Sequence, residues 1–221
     1  MKVKDSMSSP ALWFQQGIRI FWLIGIALIL FTDKFDFHKK INSFHSPLLD
    51  FFFRYLTHLG DGLFAVVLGL ILAIKNVRLG ILIFVSYIGS ALFTQLLKQV
   101  IFSHYNRPYF FFKNDSAFHF LENFNYHSHH SFPSGHATSC FAIFTILAYH
   151  FSSKITSQIL FIILAIIVGL SRVYLSQHFF QDVIAGSMIG YFFAHFTWVF
   201  LHSNLEKFNA PIGSVWGSFK K

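Results

Sequence analysis

One cysteine, Cys140, among 221 residues excludes a disulfide scaffold and leaves the redox compartment unread. Charge is just as scarce. Asp, Glu, Lys and Arg make up 12% of the chain, against 54% apolar and 20% aromatic residues. That apolar-to-charged ratio is about twice the ratio in soluble domains, which rules out a water-soluble fold and a disordered chain alike. Thirteen glycines are too few for a collagen-like repeat, and no heptads run long enough for a coiled coil. No internal repeat or low-complexity tract is present. What remains is apolar sequence sufficient for a polytopic membrane protein. The net charge of +8 then points to anionic headgroups rather than nucleic acid as the partner.

Six apolar stretches emerge once the charges are marked, at 14–32, 63–74, 79–97, 137–151, 155–171 and 183–201. They predict an all-α bundle of six transmembrane helices, built as one domain over 1–221. The second stretch is too short alone. It spans only if the aromatic segment 51–57 enters the membrane at an angle, with Arg54 and His58 near the headgroups. The first has a basic start, Lys2 and Lys4, but no small-residue cleavage site follows it, so it is expected to stay as an anchor. The longest polar interruption, 102–132, is expected to be an extramembrane functional loop. With the N-terminus inside, nine of the 17 basic residues lie inside, Lys2, Lys4, Lys220 and Lys221 among them. Setting aside three cations with a chemical use leaves a positive-inside bias, with both termini cytoplasmic.

Those three cations are Lys98, Arg107 and Arg172. Lys98 ends the third stretch, His136 begins the fourth, Arg172 ends the fifth, and His178 with Asp182 begins the sixth. In an up-down bundle these ends share one side of the membrane, and ionisable groups gathered there mark a site. Three cations beside a single acid suit a ligand with two or more negative charges, and phosphate matches the arginine fork. Pro133-Ser134-Gly135-His136 opens a helix, where free N–H groups and the dipole attract an anion. Gly135 permits close approach and Ser134 offers a hydroxyl. His178 and Asp182 are four apart, so a carboxylate can hold one ring nitrogen while the other acts as nucleophile. His136 supplies a second imidazole for proton transfer.

Lys98 with Arg107-Pro108, then Pro133-Ser134-Gly135-His136, then Ser171-Arg172 with His178 and Asp182, resemble the three-part signature of the type 2 phosphatidic acid phosphatase superfamily. The third part fits at every spacing. In the first, eight residues separate Lys98 from Arg107 where the family usually has six. The resemblance covers 98–182 and implies a membrane lipid phosphatase without metal or other cofactor. His178 would attack phosphorus, Asp182 would orient it, and His136 would protonate the leaving oxygen. Lys98, Arg107, Ser134, Gly135 and Arg172 would bind the phosphoryl oxygens. Its substrate would be a lipid phosphate: phosphatidic acid, phosphatidylglycerophosphate, an isoprenyl diphosphate or a lipid A phosphate. In a bacterium it would sit in the inner membrane with the site facing the periplasm, needing no obligate protein partner.

A phosphotransferase using the same residues, or an anion channel or transporter, fits the cationic cluster too. Broken helices and repeat symmetry expected of transporters are missing from the pattern. His127, His129 and His130 resemble a metal tract but have no cysteine or suitably spaced acid beside them, so loop or headgroup contacts are expected. His150, His195 and His202 read as structural, and Cys140 as packing. The aromatics from Phe110-Phe111-Phe112 to Phe132 read as an interfacial segment guiding lipid chains, or as an aromatic belt.

Overall fold

A computed structural model describes residues 11–218. Lys2, Lys4, Lys220 and Lys221, used above to orient the chain, lie outside them. The described residues form helices α1 (Leu12–Phe31), α2 (Lys34–Asn42), α3 (Pro47–Leu56), α4 (Gly62–Lys75), α5 (Val77–Leu96), α6 (Pro108–Phe112), α7 (Gly135–His150), α8 (Ile155–Tyr174), α9 (Phe180–Leu201) and α10 (Ile212–Ser218). No strand occurs among them, as expected of an all-α chain.

Each of the six apolar stretches is helical. Three whole helices, α1, α8 and α9, together with α5 continued to Ile101, are long and apolar enough to cross a membrane. A fifth crossing forms if Pro47–Gly60 and Gly62–Lys75, bent by 60° at their break, act as one. A bent pair of this kind is what the short second stretch would need in order to cross. Stretch 137–151 corresponds to α7, whose 16 residues give about 24 Å of helix, short of the hydrocarbon thickness. Length and composition therefore support four or five crossings in an integral membrane protein, not the full six.

Helix α7 is the axis of the bundle. Every residue from Ala137 to Tyr149 is buried, so a helix that is apolar all round has neighbours on all sides. Against α9 it packs at backbone distance. A Cβ added at Gly186 would collide with the Ser134 carbonyl, and one at Gly190 with the Thr138 carbonyl. Small residues let membrane helices approach this closely, and the contact fixes the start of α7 against the start of α9. Helix α1 leans on α8 and α9, and Trp22 donates from Nε1 to Ser187 Oγ at 2.9 Å. The outer faces keep large apolar side chains exposed, including Leu30, Leu63, Leu92 and Phe200. On a chain with these helices such a surface meets lipid.

At the end of the bundle where α7 and α9 begin, α2, α3 and the 102–132 segment form a cap. Asp33 caps α2, with Oδ1 accepting from Phe35 N at 2.8 Å, and Ser46 with Pro47 starts α3. The Phe110-Phe111-Phe112 run divides. Phe112 is buried against Phe118, while Phe110 and Phe111 are exposed. Arg54, expected near headgroups, donates instead to the Asn123 carbonyl at 2.9 Å and ties α3 to that segment.

Candidate active site

Six of the residues singled out in the sequence line one cavity of about 300 Å³: Lys98, Arg107, Gly135, His136, Arg172 and His178. They come from four helix ends and the 102–132 segment, as the alternation of spans requires. Lys98 sits in a single π-helical turn, Leu97–Ile101, that ends α5. Such a turn holds an extra residue within a helix and often marks functional sites. It accommodates part of the longer interval between Lys98 and Arg107 and keeps Lys98 at the cavity wall, 7% exposed.

Arg107 is fastened by backbone. Its Nε donates to the His129 carbonyl at 2.9 Å and Nη1 to the Gln177 carbonyl at 3.1 Å. Arg172 is 6% exposed and donates from Nη1 to Thr57 Oγ1 at 2.7 Å. Among the described residues none of these three cations has a carboxylate within ion-pair distance. Buried cations left unpaired by protein are costly unless a ligand supplies the counter-charge, and an anion is the ligand chemistry that suits this cavity.

Arg172 and His178 are joined by a tight reversal after α8. The Arg172 carbonyl accepts from Gln177 N at 2.9 Å and His178 N at 3.1 Å, and Ser176 takes a left-handed φ of 53°. The reversal folds His178 back over the cavity, 2% exposed. Its Nδ1 is 3.3 Å from Asp182 Oδ2. That same oxygen accepts from Ser131 Oγ at 2.5 Å and from Phe179 N at 3.0 Å. The carboxylate is thereby fixed, and it leaves Nε2 of His178 free for chemistry. Burial, followed by the charges of Arg107, Lys98 and Arg172, holds the His178 ring well below its ordinary pKa. The imidazole is therefore neutral at physiological pH, the form a nucleophile requires.

Two expected residues stand behind the cavity wall. Asp182 lies beneath His178. Ser134 is fully buried and caps α7, its Oγ accepting from Ala137 N at 3.4 Å, while the Asp182 carbonyl accepts from Ser134 N at 2.9 Å. Gly135 is at the wall itself, where an added Cβ would meet no atom within 4 Å. His127 also lines the cavity, whereas His129 pairs with Asn106 at 2.7 Å and His130 approaches the Lys98 carbonyl at 3.4 Å. Among the described residues no three His, Cys, Asp or Glu side chains gather as a metal site. His195 bonds Tyr149 at 2.9 Å, far along α9, and Cys140 is packed in the core.

The sequence reading missed Asp61. Its Oδ1 lies 2.6 Å from His136 Nε2, so the second imidazole has a carboxylate partner as well. A lone acid between Gly60 and Gly62, at the edge of an apolar stretch, was the available signal. Gln95, Phe124, Asn125 and Gln177 complete the wall.

A carboxylate-held imidazole, three cations and a second imidazole thus share one cavity at the end of a membrane helical bundle. The sequence matches the PAP2 superfamily over residues 79–206, more than half of its length, and the chain belongs to that superfamily. It is 38% identical over 68 residues to phosphatidylglycerophosphatase B of Bacillus subtilis, covering 27% of this chain and 34% of that one. It is 35% identical over 120 residues to lipid A 1-phosphatase of Rhizobium johnstonii, covering 54% and 46%. The matched regions thus span less than half of these relatives. The fold resembles LpxE of Aquifex aeolicus, with a TM-score of 0.62 and 26% identity over 75% of this chain and 94% of that one. It also resembles a transmembrane PAP2-type phosphatidylglycerolphosphate phosphatase from Bacillus subtilis, with a TM-score of 0.63 and 25% identity over 87% and 98%.

Proposed function

We propose that this chain, acting as one membrane-embedded domain, is a metal-independent lipid phosphatase that hydrolyses a phosphate from a lipid headgroup through a phosphohistidine. The observation carrying this reading is the convergence of Lys98, Arg107 and Arg172, without protein counter-ions, on the cavity faced by the buried His178–Asp182 pair. Nε2 of His178 forms the bond to phosphorus as the bond to the lipid oxygen breaks, and His136 gives that oxygen a proton. Lys98, Arg107, Arg172 and the Gly135 N–H at the start of α7 stabilise the charge on the three equatorial oxygens. Ser134 serves by capping α7 and so holding Gly135 in place. Water then attacks the phosphohistidine, passes its proton to His136 and frees phosphate.

Substrates of this shape are phosphatidic acid, phosphatidylglycerophosphate, an isoprenyl diphosphate and a lipid A phosphate. The relatives' names support the second and the last. The site faces the periplasm of a bacterial inner membrane. Purified protein given this lipid panel in detergent with EDTA is expected to release inorganic phosphate, and His178→Ala to release none. A phosphorylated acceptor in place of free phosphate would make the protein a transferase. Anion binding with no turnover of any lipid phosphate would favour transport and sink the reading.

A further inference from the structure

The break between α3 and α4 brings a short 3₁₀ turn, Thr57–Gly60, and then Asp61 beneath the cavity. Two side chains of this segment grip cavity-lining residues: Thr57 holds Arg172 at 2.7 Å and Asp61 holds His136 at 2.6 Å. The fit leaves no slack. A Cβ at Gly60 would come within 3.0 Å of the His136 carbonyl oxygen. The other Asp61 oxygen, Oδ2, is 2.6 Å from His58 Nδ1. Arg172 from α8 and Lys98 from the end of α5 act on His136, as does His178 from the reversal before α9. Burial and the charges of Arg172 and Lys98 hold the His136 ring below its ordinary pKa, and Asp61 is the carboxylate that opposes them.

We propose that Asp61 is the positioning residue for His136, fixing its tautomer and stabilising its protonated form for delivery to the leaving oxygen. This rests on the phosphatase reading above. Asp61 occupies Nε2, so Nδ1 is the nitrogen that works. In the first step Nδ1–H passes to the lipid oxygen as the phosphorus–oxygen bond breaks and the bond to His178 Nε2 forms. The ring is left neutral, with its Nε2–H still bonded to Asp61. In the second step water forms the new phosphorus–oxygen bond, its proton returns to Nδ1, and the bond to His178 breaks. No proton is gained or lost by Asp61.

The test compares kcat/KM of Asp61→Asn for two substrates, short-chain phosphatidic acid and p-nitrophenyl phosphate, whose leaving group departs without a proton. General acids are worth about 10²–10⁴-fold. Asp61→Asn should therefore lose on the order of 10²-fold on the lipid phosphate and less than about threefold on the nitrophenyl ester. The alkaline limb of its lipid profile should move to lower pH, because the imidazolium has lost its carboxylate. Asp61→Glu should recover part of the loss. Equal losses on both substrates, as a merely structural residue would give, overturn the proposal, and so does wild-type behaviour of Asp61→Asn. If His178→Ala keeps its activity, or the wild type acts on neither substrate, the phosphatase reading itself has failed. Those results are distinct from a failure of Asp61 alone.

Discussion

His178 and Asp182 are 2% and 1% exposed and four residues apart on the entry to α9. His136 and Asp61 are 28% and 34% exposed and belong to distant parts of the chain. Asp182 Oδ2 receives three donors, from Ser131, Phe179 and His178. Asp61 divides its two oxygens between two imidazoles, and its other partner, His58, is 64% exposed. The difference follows the chemistry proposed for each. A nucleophile must start neutral and in one tautomer, and its ring gains positive charge on bonding phosphorus; a dry, saturated carboxylate serves both needs. An acid that also acts as base must exchange protons, and a pair open to water can do so.

The largest expected effect comes from breaking the dry pair. Asp182→Asn preserves shape, but the amide cannot accept from three donors in the same arrangement, and the tautomer of His178 is no longer set. A loss on the order of 10³-fold in kcat is expected, with both lipid phosphate and p-nitrophenyl phosphate affected. That indifference to the leaving group is the opposite of the pattern predicted for Asp61→Asn. An Asp182→Asn enzyme within tenfold of wild type on either substrate would mean that the buried carboxylate does not orient the nucleophile. Ser131→Ala removes one of its three donors, and a smaller loss of about tenfold is expected in the same assay.

The two pairs were unequally legible in the sequence. Four-residue spacing points to His178–Asp182 through a shared helix face, although His178 precedes α9 and the two meet across the entry to that helix. Parity of spans likewise places Lys98, His136 and Arg172 at one end of the bundle without reference to their contacts. Nothing local links Asp61 to His136. Their meeting depends on the 60° break between α3 and α4, and a break is a tertiary outcome of short helices meeting a central one. His58 looked like a headgroup contact for the same reason, although it bonds Asp61. Ser134 shows the converse limit. Its hydroxyl suits an anion and a helix cap equally well, and only coordinates reveal that it is buried in the cap.

Arg172 connects the comparison to binding. Thr57 Oγ1 accepts from Nη1, and Nε is buried without a partner among the described residues. Thr57→Val keeps the volume and removes the acceptor. A hydrogen bond to a charged group is worth about 1.5–3 kcal/mol, and 1.4 kcal/mol is tenfold in binding. A rise of about tenfold in KM for a lipid phosphate is therefore expected, with kcat changed by less than about threefold. If kcat falls instead while KM holds, Arg172 acts only in the transition state.

The smallest effect concerns what keeps the His178 side dry. His38 on α2 is 1% exposed, stacks on Phe112 and Phe118 with ring centroids 5.9 and 5.7 Å away, and meets Ser176 Oγ at 3.2 Å. It thereby braces the reversal that carries His178. Burial pushes the His38 ring from 6.5 down to about 3. Below pH 6.5 the unfolded chain binds a proton that the folded chain refuses. Stability is therefore complete above that pH and declines as pH falls toward 3, by at most about 1.4 kcal/mol per unit for this one ring. His178, shifted in the same direction, adds to the slope. His38→Phe keeps the stack and removes one of the two protons. Its Tm in detergent should be slightly below wild type at pH 7, where the bond to Ser176 is lost, yet should fall less between pH 7 and pH 4.5. An unchanged acid slope would mean that His38 gains access to water before the fold gives way.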